Sequence, residues 1–205
     1  MVKFFAMIQD ALDFLRSRLN EYLNLKLDPT GNGQGSFVQL ANVAWNDTDN
    51  QSTSTDGSNF NAFITLVNVE EDRISRPQTN AVRNNNTTIY KNPKIYLNLY
   101  VLFAVNLSSY LESLKRLSYI IQFFQYQNVF TSLSTPDLPV GVEKLILDLD
   151  TLSFQDLNNL WGIMGSKYLP SVLYKMRLVI IDENFNQGTA GLINEILIND
   201  QTINQ

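Results

Sequence analysis

Glu70-Glu71-Asp72-Arg73 sets three adjacent carboxylates beside a guanidinium, the side-chain types that general acid–base catalysis or a hard cation would use. The run closes an alternating segment, and on a strand neighbouring carboxylates point to opposite faces, so alone it does not converge on a reacting atom. Asp148 and Asp150, at the end of a later strand-like run, are carboxylates that could also act, and no second cluster or ligand-spaced loop brackets either pair. The reading favoured by the pattern is a solvated strand end held by ion pairs. Lys175 and Arg177 alternate along a late strand and present a basic stripe that would suit an acidic partner or water. Gly31-Asn32-Gly33-Gln34-Gly35 has the glycines of a phosphate cradle but lacks the Lys-Ser/Thr, the preceding strand and the following helix of a P-loop. It reads as a flexible linker.

The 205 residues contain neither Cys nor His. That removes disulfides, Cys/His zinc sites, thiol nucleophiles, Ser-His-Asp triads and histidine-ligated haem at once. The formal charge of −5 offers no basic stripe for nucleic acid and no polybasic face for a membrane. The sequence therefore predicts no catalytic residues, no cofactor, no metal, no nucleic-acid partner and no membrane insertion. The apolar run Phe4–Ile8 is too short for a signal-peptide core, which predicts synthesis in the cytoplasm. At 44% hydrophobic and 11% aromatic, the chain can build a sizeable core.

The segment that must organise that core is Lys94–Val105. It carries Ile95, Leu97, Leu99, Val101, Phe103 and Val105 on one side and Tyr96, Asn98, Tyr100, Leu102 and Ala104 on the other. A strand so apolar on both sides belongs at the centre of a sheet with both faces covered. Helices beginning near Lys3, Ser109 and Ser153 are expected on one face, with tyrosine-rich packing or a neighbouring subunit on the other. The first is an amphipathic helix over Lys3–Asn24. The second follows the capping box Ser109-x-x-Glu112, with Glu112 four residues before Arg116 in the favourable order for a pair. Its aromatic end, Phe123-Phe124-Gln125-Tyr126, reads as core rather than a ligand box. The third follows Ser153-x-x-Asp156 and stops at Gly165.

Further strands are expected at Phe37–Ala44, at Ala62–Glu71, at Val142–Leu149 with Leu145, Leu147 and Leu149 inward, and at a last long strand with Val172, Tyr174, Met176, Leu178 and Ile180 inward. Asn46–Asn61 and Ser75–Asn92 read as long polar loops that become ordered against another subunit. After Asn184, a Gly188/Gly191 hinge leads to an apolar tail containing Leu192, Ile193, Ile196 and Ile198.

The runs Leu66-Val67-Asn68-Val69-Glu70-Glu71-Asp72-Arg73, Tyr96-Leu97-Asn98-Leu99-Tyr100, Leu157-Asn158-Asn159-Leu160-Trp161 and Lys167 through Lys175 resemble the cap, or tail-terminator, proteins of extracellular contractile injection systems, the phage-tail-like particles of virulence-cassette and antifeeding-prophage type. The resemblance extends over about Met7 to Asp182. It implies a structural protein forming a hexameric ring on the end of the inner tube and sheath, ending tube polymerisation and anchoring the last sheath layer. The implied partners are further copies of the chain, the inner tube protein and the sheath protein, in a particle that is released or held at a membrane by other components. An adaptor joining a cargo, spike or baseplate component to the particle is the alternative.

Elements and resemblance together predict an α+β single domain. A mixed, mostly antiparallel sheet of about five strands is packed by an N-terminal helix and two further helices, with long polar loops. The expected boundaries are a cap domain over 1–182 and a C-terminal arm over 183–205. The residues expected to meet partners are Glu70, Glu71, Asp72, Arg73, Lys175, Arg177, Leu192, Ile193, Ile196 and Ile198.

Overall fold

The computed structural model describes residues 7–27, 36–43, 62–72, 81–84, 87–91, 96–180 and 186–191, with side chains over 8–27, 36–43, 62–72 and 96–178. In chain order the elements are α1 (Met7–Leu27), β1 (Val38–Leu40), β2 (Ala62–Glu71), β3 (Ala81–Asn84), β4 (Thr87–Lys91), β5 (Tyr96–Val105), α2 (Tyr110–Tyr126), β6 (Val129–Thr131), β7 (Val142–Asp150), α3 (Phe154–Met164), β8 (Ser171–Ile180) and β9 (Asn186–Gly191). Six strands form one sheet in the order β1-β2-β5-β8-β7-β6. Only β1 and β2 run parallel in it. The architecture is thus the expected α+β domain with a mixed sheet, one strand wider because the three-residue β6 extends its edge.

The two-sided pattern of β5 is resolved by different covers. Leu99, Val101, Phe103 and Val105 are fully buried against Ala11, Leu15, Leu19 and Leu23 of α1 and Ile120, Phe123 and Phe124 of α2. Phe103 sits 5.0 Å from Phe124 and 5.6 Å from Tyr174, ring centre to ring centre. The opposite side of β5 sends Leu102 and Ala104 into a second, smaller cluster with Phe63, Leu173 and Trp161 of α3. The expectation of three helices on one face is therefore corrected: α1 and α2 share one face and α3 takes the other. An eleven-residue helix is too short to cover that whole face, since at 1.5 Å per residue it spans less than twenty ångströms.

Local chemistry fixes the helix ends as the sequence predicts. The Ser109 hydroxyl accepts from Glu112 N–H, and Ser153 Oγ accepts from Asp156 N–H at 3.2 Å while donating to Asp156 Oδ2 at 2.6 Å. Gly165 closes α3 with φ +64°, a left-handed value that side chains resist. Glu112, by contrast, reaches Lys115 at 3.8 Å rather than Arg116. The Arg116 guanidinium lies 5.0 Å over the Phe37 ring, its Nε and Nη1 without acceptors, because cation–π stacking there replaces the helix-surface pair. Burial lowers its pKa, an effect that Glu112 partly opposes.

Several expectations change. Leu149 is 56% exposed, not inward, because β7 outruns the cover of α1 and α2 at that end. Ser75–Asn92 is not a continuous loop. It contains β3 and β4, an antiparallel pair with Asn84 opposite Thr87, and β4 pairs in turn with β9. Gly188 and Gly191, expected as a hinge, are ladder positions opposite Tyr90 and Thr87 in this second, three-stranded sheet. Phe123 and Phe124 are core as expected, whereas Tyr126, read as core with them, is 85% exposed at the last turn of α2. Asn46–Asn61 lies outside the described residues.

Candidate interaction site

The half of the sheet that α3 leaves uncovered carries charge. Strand register makes it so: Glu70 of β2 lies opposite Asn98 of β5, which lies opposite Arg177 of β8. One step along, Tyr100 faces Lys175, which faces Asp148 of β7. Residues far apart in sequence thereby share one surface, a bowl of about 800 Å³ walled by Glu70, Glu71 and Asp72 on one side and by Asp148, Lys175 and Arg177 on the other, with Asn98 in its lining. The bend comes from β2, whose register shifts between Leu66 and Asn68 before the strand emerges from the core. Its first four residues are buried and its last four exposed. Glu71 and Asp72 therefore join Glu70 around one hollow, which strict alternation did not predict.

Inside the bowl the charges are partly engaged. Arg177 Nη2 meets Asp148 Oδ2 at 2.6 Å. Tyr100 donates its hydroxyl proton to Glu70 Oε2 at 2.9 Å, and Lys175 Nζ stands 4.0 Å from the same carboxylate and 5.4 Å from the Tyr100 ring centre. The Lys175 ammonium is held above the ordinary lysine value, first by the hydrogen bond to Tyr100 and then by the Glu70 and Asp150 carboxylates. These pairs are about half exposed, so each adds at most ~1 kcal/mol to the fold. Asn98 is different: only 6% exposed, its Oδ1 has no donor.

Asp150 lines a smaller hollow of about 280 Å³ with Val67, Leu160 and Ile163, between the sheet and α3. Of the residues expected to meet partners, the structure brings together Glu70, Glu71, Asp72, Lys175 and Arg177. Arg73, Leu192, Ile193, Ile196 and Ile198 lie outside the described residues. Asn98, Tyr100 and Asp148 belong to the same surface and were not anticipated there. Alternation along β5 put Asn98 and Tyr100 on one side, but only pairing with β8 reveals what they face.

Chemically, the bowl offers carboxylates, an ammonium, a guanidinium and a tyrosine hydroxyl for polar contacts, and among the described residues no three acids stand close enough to hold a metal ion. No helix among them is long and apolar enough to cross a membrane.

The fold has a counterpart among solved structures. A solved structure of this fold is the sheath/tube terminator, in the extended state, of the PVC extracellular contractile injection system; it is 14% identical, with a TM-score of 0.55. The match covers 92% of this chain and 63% of that one, so the chain spans less than two thirds of its solved counterpart. More particularly, the chain belongs to the family described as the Pvc16 N-terminal domain, whose model matches residues 11–195. None of the curated proteins matches it.

Proposed function

We propose that this chain is a structural cap of a contractile injection particle. It closes into a ring, a hexamer, on the end of the inner tube and sheath, stops tube growth and anchors the terminal sheath layer, and it catalyses no reaction. The observation that carries this reading is the family match across residues 11–195, supported by the shared fold with a sheath/tube terminator. The open half of the second sheet face fits it, since a face left without helix cover is a natural place for a neighbouring subunit. Residues 183–205 extend beyond the cap domain as an arm toward a neighbour, rooted by the pairing of β9 with β4.

The test is assembly of tube and sheath with and without the chain. The expected result is particles of regular length with density for the chain at one end, and tubes of unregulated length without it. A monomeric chain that never copurifies with tube or sheath would refute the proposal. Location in the lumen or at the spike end would make the chain an adaptor instead. A chain truncated after Gly191, which keeps β9, should fold normally and attach less firmly to the particle. Unchanged attachment would remove the arm from the proposal.

A further inference from the structure

Helix α2 carries more apolar surface than the core uses. Ile120, Phe123 and Phe124 are buried toward the sheet, but Leu111, Leu114 and Ile121 lie on the outer side of the helix and are exposed, Leu111 by 74%. With Ser118 and Gln125 they recur at i, i+3, i+7, i+10 and i+14, which is one continuous stripe. The solvent side of a surface helix ordinarily carries charge, and this stripe carries none over about four turns. Ser118 donates its hydroxyl proton to the Leu114 carbonyl at 2.9 Å, so the stripe can be dried without stranding that donor.

The other face of the sheet holds a counterpart. The hollow of about 280 Å³ between sheet and α3 is walled by Val67, Leu152, Leu160 and Leu173, and Ile163, 86% exposed, stands at its edge. It has room for leucine-sized side chains. Asp150 and Asp156 also line it and would repel an acidic partner. An uncharged stripe escapes that repulsion. Lys115, beside Leu111 and Ser118 on the same side of α2 and only loosely paired with Glu112 at 3.8 Å, brings a cation to those acids.

We infer that the α2 stripe of one copy of this chain packs into the α3 hollow of the next. The two surfaces lie on opposite faces of one sheet, α2 on the first and α3 on the second, so a copy can offer its stripe to one neighbour and its hollow to another at once. A contact between unlike surfaces propagates in one direction and closes as a ring where the rotation per copy permits, whereas a two-fold contact of α2 with itself stops at a dimer. The net charge of −5 makes copies repel at a distance, so their contact belongs at surfaces that add nothing to that repulsion. The inference deepens the cap reading and rests on it for the ring, while the stripe, the hollow and their placement stand without it.

Cysteine placement tests the contact, because the chain has no cysteine of its own. The full chain carrying Leu111→Cys and Ile163→Cys, bound to purified tube–sheath particles and treated with a short bismaleimide, should give a ladder of covalent multimers on a denaturing gel. The two positions lie on opposite faces, so the product joins different copies. Leu111→Cys alone should stay monomeric; a covalent dimer from it would mean that two stripes meet each other, and would overturn the inference. Leu111→Glu/Leu114→Glu and Asn159→Glu/Ile163→Glu alter exposed positions, so both chains should melt as wild type does. At concentrations where wild type assembles in solution, sedimentation should show each variant associating at least tenfold more weakly. Mixed, the two should form heterodimers and nothing larger, since one intact stripe and one intact hollow remain between them. A mixture that stays monomeric, or a stripe variant that assembles like wild type, would overturn the inference. So would a double-cysteine chain held on particles without cross-linked product, a result that leaves the cap reading standing. A chain that neither associates nor binds particles refutes the cap reading itself.

Discussion

Phe103 is where the cooperativity of the fold is most directly measured. It is fully buried on the central strand, with Phe124 of α2 tilted at 5.0 Å and Tyr174 of β8 edge-on at 5.6 Å and 89°. Phe103→Leu keeps most of the apolar area but loses two aromatic pairs, each ~0.5–1.5 kcal/mol, so it should cost about 1–3 kcal/mol. Phe103→Ala adds a cavity that α1 and α2 cannot close without losing contact with the sheet, for about 3–5 kcal/mol. Both remain below a total stability of ~5–15 kcal/mol, so both chains should fold. Urea unfolding followed by tryptophan fluorescence reads the difference, Trp161 being packed 5.6 Å from Tyr168 on the opposite face. A double-mutant cycle with Tyr174→Leu should show coupling of about 0.5–1.5 kcal/mol. If Phe103→Ala costs under ~1 kcal/mol, or the cycle is additive, the aromatic cluster does not tie helix to sheet and the account of the core is wrong.

Leu99→Asp should abolish folding, since an unpaired carboxylate at a 0% exposed position costs several kcal/mol or must neutralise; a soluble variant with wild-type cooperative unfolding would contradict the placement of β5. Burial pushes the Tyr174 hydroxyl up to about 12, so between pH 10 and 12 the unfolded chain loses a proton that the folded chain keeps, and stability falls with rising pH by about 2 kcal/mol from this group. Tyr174→Phe should flatten that alkaline loss in melts taken across pH 9–12; an unchanged slope would mean the ring is wetter than the structure shows. Gly165→Ala meets no neighbouring atom, so its cost, about 1 kcal/mol, is backbone strain alone, and Ser153→Ala should cost about the same through the lost cap. Each should lower the melting temperature by roughly 2–4 °C, and no shift in either would show that α3 is held by packing only.

What the sequence made legible was local. Caps depend on residues three apart, so Ser109, Ser153 and Gly165 could be read directly, and the apolar alternation of β5 announced a central strand. The second sheet was hidden because its strands are only four to six residues long and carry no sustained apolar alternation. Asn85-Asn86 between the paired Asn84 and Thr87 was the available hairpin signal, asparagine tolerating the left-handed turns that two-residue links require. The glycines and alanine of β9 gave none. Asn20 shows the same limit in a helix. It sits in sequence among the polar residues Arg16, Ser17 and Glu21 of α1, yet its side chain accepts from Phe37 N–H at 2.8 Å and Val38 N–H at 3.0 Å and donates to Val38 C=O, fixing β1 to α1. A three-residue parallel strand has too few ladder bonds to hold itself, and only the folded chain shows what holds it.

The bowl follows from the same asymmetry that misplaced α3. Had all three helices covered one face, Asn98, Lys175 and Arg177 would belong to an open, uniformly wet sheet surface and Asn98 would find water. With α3 on the second face, that face is divided: Leu102, Ala104 and Leu173 are sealed beneath Trp161, while the rows beginning at Tyr100 emerge into charge. Asn98 lies just past that boundary, 6% exposed, with its Oδ1 unmatched among the described residues. The position of that boundary is set by the eleven residues between the Ser153 cap and Gly165. Asn159→Trp, on the flank of α3 that lines the hollow beside Asn68 and Tyr100, should therefore leave stability nearly unchanged and weaken particle attachment by crowding the near wall of the bowl. A stable Asn159→Trp chain that attaches like wild type would place the partner on another face of the molecule.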